Sequence, residues 1–264
     1  MNPRAPILLF DSGVGGLTVL AALRKVLPQA PVIYAADTAG LPYGTKTEAQ
    51  IAARVAGLLG VLTERYKPRL ATIACNTAST IALGMVREVL AIPIVGTVPA
   101  IKTAAALTRT GTMGLLGTQA TIRQGYVDWL EAEFAGGKQL IRHAAPALVA
   151  AAEAKLRGDR VDPSLIKGAV AGLHAKAAGA VIDTVVLACT HFPLLADELR
   201  EVLGPDVRLV DGAEGIARRM AWLTQGQTFE RTEPDFAVFT GEPDRSAAFA
   251  ASLHAHGLER FHRI

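Results

Sequence analysis

Short apolar runs that do not alternate with polar residues recur along this chain at helix-length intervals, and that recurrence constrains its fold more than any other feature. The runs lie at 7–10, 32–36, 70–74, 94–95, 112–116, 140–142, 184–188, 207–210 and 236–239. A strand with one wet face alternates apolar and polar side chains, so unalternated runs point to strands covered on both faces, as in parallel sheets. The stretches between them carry helix signals. Thr47 with Gln50 three residues on has the pattern of a capping box, and Ile51, Val55, Leu59 and Leu62 follow as one apolar stripe. Asp162-Pro163 reads as an N-cap with Pro at the first helical position. Strands alternating with helices predict an α/β fold with mostly parallel sheets.

A weak internal repeat divides the chain. A strand, a Gly/Ser/Thr turn and a helix follow one another at 8–20 (LLFDSGVGGLTVL) and again at 113–122 (MGLLGTQATI). The simplest organisation is two similar α/β halves, with chain crossings at 96–100, around Pro99, and at Gly204-Pro205. The first domain then comprises 1–97 plus 208–264, and the second 98–207. With 264 residues, half of them apolar and few charged, the chain has enough material for well-buried cores. Its formal charge of +3 and pI near 9.0 are mildly basic, but Lys and Arg are scattered and aromatics make up 5%, which argues against a nucleic-acid surface. No segment has a signal-peptide layout or a membrane-spanning apolar run, so the expected location is cytoplasmic.

The two cysteines of the chain sit in near-matching sentences, TIACNT at 72–77 and VLACTH at 186–191. Each follows a predicted strand and precedes small polar residues and a helix, which puts a thiol at the carboxyl edge of a sheet twice over. Ligands bind at that edge in open parallel sheets. A lone cysteine there reads as a buried structural thiol, but two in duplicated settings suggest facing sulfur groups. A thiol just before a helix N-terminus should have its thiolate stabilised, so both are expected to titrate below the ordinary range. In a reducing compartment two cysteines read as thiols rather than a bridge.

Other motifs sit at the same edge. Asp11-Ser12-Gly13-Val14-Gly15-Gly16-Leu17 reads either as a tight turn or as a helix N-terminus whose N–H groups can hold an anion. Its spacing matches neither a dinucleotide nor a nucleoside-triphosphate loop. The carboxylate of Asp11, aimed at the edge, calls for a partner such as an ammonium group or a thiol proton. Leu41-Pro42-Tyr43-Gly44-Thr45 reads locally as a Pro/Gly turn, though its place after a strand belongs to the ligand edge. His191, two residues past Cys189, can orient that thiol, donate to a substrate carboxylate or serve structure alone. Metal-ligand spacing is absent: there is no Cys-x-x-Cys and no His-x-x-x-His, and no Gly-x-Ser-x-Gly elbow occurs.

Taken together, these segments resemble the glutamate racemases of the aspartate/glutamate racemase family. The matching stretches are DSGVGGL at 11–17, Asp37 with PYG at 42–44, CNTAS at 75–79, GLLGTQAT at 114–121, CTHFPLL at 189–195 and Asp211-Gly212-Ala213, in the family's order across most of the chain. The resemblance implies two pseudo-symmetric three-layer domains with the active site in the cleft between them. It implies Cys75 and Cys189 as the catalytic acid/base pair, assisted by Asp11 and His191. It also implies that Asp11, Ser12, Pro42, Tyr43, Gly44, Asn76, Thr77, Thr118, Thr121, Glu153, Thr190 and His191 hold the substrate. Where the family commonly has Cys-Pro-x-x-Val-Pro-Leu-Val-Glu, this chain reads Ala145-Pro146-Ala147-Leu148-Val149-Ala150-Ala151-Ala152-Glu153, so Glu153 aligns with the family's glutamate. The hinge reads Gly96-Thr97-Val98-Pro99.

The implied activity is interconversion of L-glutamate and D-glutamate without metal or other cofactor, supplying D-glutamate for peptidoglycan, with glutamate as the small-molecule partner. Inversion at Cα needs one group to remove a proton from one face and another to return one to the opposite face, and two thiols suffice. Related aspartate or hydantoin racemases, a thiol redox protein and a noncatalytic amino-acid binding module are the alternatives. Family members occur as dimers in more than one arrangement, which allows a homodimer here.

Overall fold

The computed structural model describes residues 2–264, and in it the nine apolar runs become nine of ten parallel strands in two sheets. In chain order they are β1 (Ile7–Asp11), β2 (Val32–Ala36), β3 (Leu70–Ile73), β4 (Ile94–Gly96), β5 (Thr112–Gly117), β6 (Gln139–Ala144), β7 (Thr184–Ala188), β8 (Arg208–Val210), β9 (Asp235–Phe239) and β10 (Leu258–Arg263). The first sheet is ordered β10-β9-β2-β1-β3-β4 and the second β6-β5-β7-β8. The repeat seen in the sequence is therefore a repeat of topology. The order β2-β1-β3-β4 recurs as β6-β5-β7-β8, with each cysteine just after the third strand of its set.

Period-two geometry explains the unalternated runs. Ile7 and Leu9 face one core with Val32 and Tyr34, whereas Leu8 and Phe10 face another with Ile33 and Ala35. Leu115 and Leu116 divide between two cores in the second sheet in the same way. Helices cover both faces of each sheet, so the central strands are apolar on both of their faces. The Glu48–Tyr66 helix opens with the expected capping box: the Thr47 hydroxyl accepts from Gln50 N–H at 3.2 Å, and Gln50 Oε1 accepts from Thr47 N–H at 3.0 Å. Its stripe of Ile51, Val55, Leu59 and Leu62 is buried. Asp162 caps the Pro163–Ala177 helix through Ser164 N–H at 2.8 Å.

Two expectations about the chain path need correction. Gly204-Pro205 does not return the chain to the first sheet: Gly204 ends the Ala196–Leu203 helix at φ 104°, where a glycine is needed, and the segment runs on into β8. β8 pairs with β7, so residues 208–210 lie in the second sheet rather than the first. The return comes after Val210, where the Ala213–Leu223 helix packs Ile216, Ala217 and Met220 into the core of the first sheet with Leu17 and Leu20. β10 leaves no strand signal in the sequence. Its residues, LERFHR, are mostly exposed at the edge beside β9 and lack an apolar run.

This order positions the site. β1 lies between β2 and β3, so the connections leave it in opposite directions and open a crevice at the carboxyl ends of the strands. β5 lies between β6 and β7 in the same manner. Residues just past β1, β3, β5 and β7, from both sheets, line one cavity.

Candidate active site

Cys75 and Cys189 both line that cavity, with Ser12, Pro42, Tyr43, Gly44, Asn76, Thr77, Thr118, Thr190 and His191 around them. Cys75 is the N-cap of the Asn76–Val89 helix, and its Sγ accepts from Ala78 N–H at 3.5 Å and donates to Ser12 Oγ at 3.5 Å. The local geometry is the thiolate-favouring one expected from the sequence. The outcome is the reverse: burial, reinforced by the nearby Asp11 charge, pushes the Cys75 thiol up to about 12. The helix N-terminus contributes one weak bond to sulfur, from Ala78 N–H, and together with the Ser12 contact it does not offset the burial of the thiol.

Asp11 does not face the cavity. It is fully buried, its Oδ1 accepts from Ser12 N–H at 2.8 Å, and its Oδ2 accepts from Gly16 N–H at 2.8 Å and from the Tyr34 hydroxyl at 3.1 Å. Its partners are therefore internal donors, and it meets Cys75 through Ser12. Burial pushes the Asp11 carboxyl above its ordinary range despite His191 and these bonds.

On the opposite side, the His191 ring stands between sulfur and carboxylate. Nδ1 lies 3.9 Å from Cys189 Sγ, and Nε2 lies 2.7 Å from Glu153 Oε1. Burial opposes charging this ring, but the bonds to Cys189 and Glu153 outweigh it and hold the imidazole well above its usual value. Burial likewise works against the Glu153 carboxylate, and the bond to His191 leaves it below its ordinary range. The pair is thus an imidazolium and a carboxylate, with the remaining imidazolium N–H directed at the Cys189 sulfur.

The glycine loop after β1 is the seat of this pair. Val14 N–H donates to Glu153 Oε1 at 3.2 Å. A Cβ at Gly13 would stand 2.5 Å from Glu153 Oε1, and one at Gly15 would stand 2.6 Å from both His191 N and Nδ1. Three of the loop's amides, those of Ser12, Val14 and Gly16, are therefore occupied by the protein's own Asp11 and Glu153 carboxylates, and its glycines permit close approach of His191. The expected anion site exists, but its anion is internal.

Three hydroxyls from the two halves meet beside the cavity. Thr77 lies 2.9 Å from Thr118 and 3.1 Å from Thr121, and Thr118 lies 3.0 Å from Thr121. Asn76, 4% exposed, lines the cavity with its Oδ1 lacking any hydrogen-bond partner. An orphan acceptor in a cavity wall marks a place for a ligand donor. Thr121 and Glu153 stand behind the wall: the first bonds to Thr77 and Thr118, the second to His191 and Val14.

Comparison with known proteins places the chain in a family. The profile of the Asp/Glu/Hydantoin racemase family matches residues 18–220. The chain is 60% identical over 257 residues to the glutamate racemase of Sphingopyxis alaskensis, covering 97% of this chain and 96% of the relative. The chain belongs to the Asp/Glu/Hydantoin racemase family. A crystal structure of Escherichia coli glutamate racemase in complex with L-glutamate and the activator UDP-MurNAc-ala superposes with a TM-score of 0.91 at 40% identity, covering 99% of this chain and 98% of that one. The Francisella tularensis glutamate racemase in complex with D-glutamate gives 0.78 at 25% identity, covering 100% and 98%.

In this racemase the cavity offers two sulfur groups from opposite halves, each with a different partner. The sequence reading missed several contributors. Gln119, Pro146 and Val149 also line the cavity, with neighbouring motif residues as the available signal, and Leu41 and Thr45 join them from the segment already placed at the ligand edge. Tyr34, which steadies Asp11, lies within a strand and carried no signal. Among the described residues no three His, Cys, Asp or Glu side chains gather in a metal-binding group, and no helix is long and apolar enough to cross a membrane.

Proposed function

We propose that this racemase interconverts L-glutamate and D-glutamate by proton transfer between Cα and two thiols, without metal or other cofactor, and supplies D-glutamate for peptidoglycan. The observation that carries the reading is the pair of cysteines from opposite halves in one cavity. The substrate assignment is supported by near full-length identity to a glutamate racemase and by relatives crystallised with L-glutamate and with D-glutamate.

For L-glutamate, Cys189 removes the Cα proton and Cys75 delivers its own proton to the opposite face. The elevated Cys75 thiol suits the acid, and the cationic His191 beside Cys189 suits a thiolate base. After that step Cys189 carries the proton and Cys75 is the thiolate, which is the form that acts on D-glutamate. Charge grows on the substrate carboxylate as the proton leaves. N–H groups and the Thr77, Thr118 and Thr190 hydroxyls are suited to stabilise it, and Asn76 Oδ1 is suited to accept from the substrate ammonium.

The test is direct. Purified protein, dialysed against chelator and given no pyridoxal phosphate, should convert L-glutamate to D-glutamate, and should turn over L-aspartate far more slowly. Absence of turnover, activity restored only by a metal or cofactor, or a preference for aspartate would overturn the reading.

A further inference from the structure

Arg54 sits outside the cavity, on the Glu48–Tyr66 helix, yet it ends a chain of bonds that reaches the cavity wall. Asp37, at the carboxyl end of β2, is fully buried. It accepts from Arg54 Nη2 at 2.6 Å and from Arg54 Nε, from the Tyr43 hydroxyl at 2.6 Å and from Thr240 Oγ1 at 2.5 Å. The two-pronged approach of Arg54 uses space left by Gly40, where a Cβ would stand 2.5 Å from Arg54 Nε. Tyr43 is 2% exposed and its hydroxyl is committed to Asp37, so it presents ring and backbone to the cavity. Gly44, next in sequence, packs against Thr118 of the second half, where a Cβ would come within 3.2 Å of Thr118 Cβ.

Resting on the glutamate racemase reading, we infer that Arg54 is a positioning residue for substrate binding: its guanidinium fork fixes the Asp37 carboxylate, which in turn fixes Tyr43 and Gly44 as a wall of the substrate cavity. A buried carboxylate stripped of its cation either moves toward water or takes up a proton, and in both cases its grip on Tyr43 changes. Three groups face Asp37: Arg54 from the helix, Tyr43 from the following segment and the non-titrating Thr240 from beyond β9. Cys75 acts on Tyr43 in turn. Burial pushes the Asp37 carboxyl up, but the bonds from Arg54, Thr240 and Tyr43 outweigh it and hold it below its ordinary range. Without Arg54, only the Thr240 and Tyr43 bonds oppose burial, and Asp37 takes up its proton at higher pH than in the parent.

Steady-state kinetics on glutamate test the assignment with the full chain and its Arg54→Gln, Arg54→Lys and Tyr43→Phe variants. Arg54→Gln should raise KM about 10-fold with kcat within about 3-fold, the mark of lost uniform binding. Its KM should also climb as pH falls, where the parent KM stays flat. Arg54→Lys, a point charge without the fork, should lie between parent and Arg54→Gln. Tyr43→Phe removes one hydroxyl, leaves Asp37 paired with Arg54 and should raise KM by about 3-fold or more, so it decides the matter even if Arg54→Gln folds poorly. Parent-like KM in Tyr43→Phe, or in a folded Arg54→Gln, would overturn the inference. A parent enzyme inert toward glutamate would instead refute the proposed function.

Discussion

Alanine at either Cys75 or Cys189 is expected to abolish racemisation in both directions, with losses of about 10³–10⁴-fold in kcat. Each turnover needs one base and one acid on opposite faces of Cα, so removing one thiol removes half of every reaction, whichever enantiomer is supplied. The neighbours cannot substitute. The Ser12 hydroxyl beside Cys75 is a far weaker acid than a thiol, and Asp11 is turned inward with both oxygens occupied. Glutamate should still bind to both variants, because the Asn76, Thr77, Thr118 and Thr190 side chains remain in the cavity wall. Chiral analysis of product and calorimetric titration of L-glutamate check the two halves of this expectation. Near-parent turnover by Cys189→Ala would remove the basis for a two-thiol mechanism.

The second large effect concerns His191 and Glu153, which should behave as one unit. His191→Ala removes the cation beside Cys189 and should lower kcat by about 10²-fold or more. Glu153→Gln keeps shape and an acceptor for Val14 N–H but removes the charge, and should cost about 10-fold or more. The double variant should be no worse than His191→Ala alone, because both changes break the same interaction. Since two enantiomers have equal free energy, kcat/KM must fall by the same factor in both directions, and any asymmetry appears in kcat and KM separately.

The pH dependence follows from the two shifts. His191 titrates well above its ordinary 6.5, so the stability from its charging is complete below that value and is lost as pH rises through the raised one. Glu153 titrates below its ordinary 4.5, so its contribution is present above that value and is lost as pH falls through the lowered one. The pair is intact between these limits. Glu153→Gln should bring His191 down and move the alkaline loss of kcat for L-glutamate to lower pH. Additive losses in the double variant, or an unmoved alkaline limb, would separate the two residues.

Much of this architecture is legible in the sequence because burial on both faces leaves a plain mark. Strands such as Ile7–Asp11 and Thr184–Ala188 carry unbroken apolar runs, Ile7–Phe10 and Val185–Ala188, and small polar residues directly after them announce the ligand edge. Cys75, Asn76, Thr77, Cys189, Thr190 and His191 are read that way. What escapes are relations between distant residues. Val14 and Glu153 meet across 139 positions, and Thr240 reaches Asp37 across 203. No local pattern shows that the glycine-loop amides serve the protein's own carboxylates. The Cys75 thiol illustrates the same limit. Its place at a helix N-terminus is visible, but the burial that reverses the expected shift comes from packing with residues distant in the chain, Phe10 and Tyr43 among them. β10 escaped because an exposed edge strand needs no apolar run.

The two-thiol account is tested most directly by the origin of the proton on the product. L-glutamate turned over in deuterated water, stopped early and separated by enantiomer, should yield D-glutamate carrying deuterium at Cα in essentially every molecule, because Cys75 delivers a solvent-derived proton to the face opposite Cys189. D-glutamate that keeps the original Cα proton in the first turnovers would mean that one group both removes and returns it, and would contradict the account.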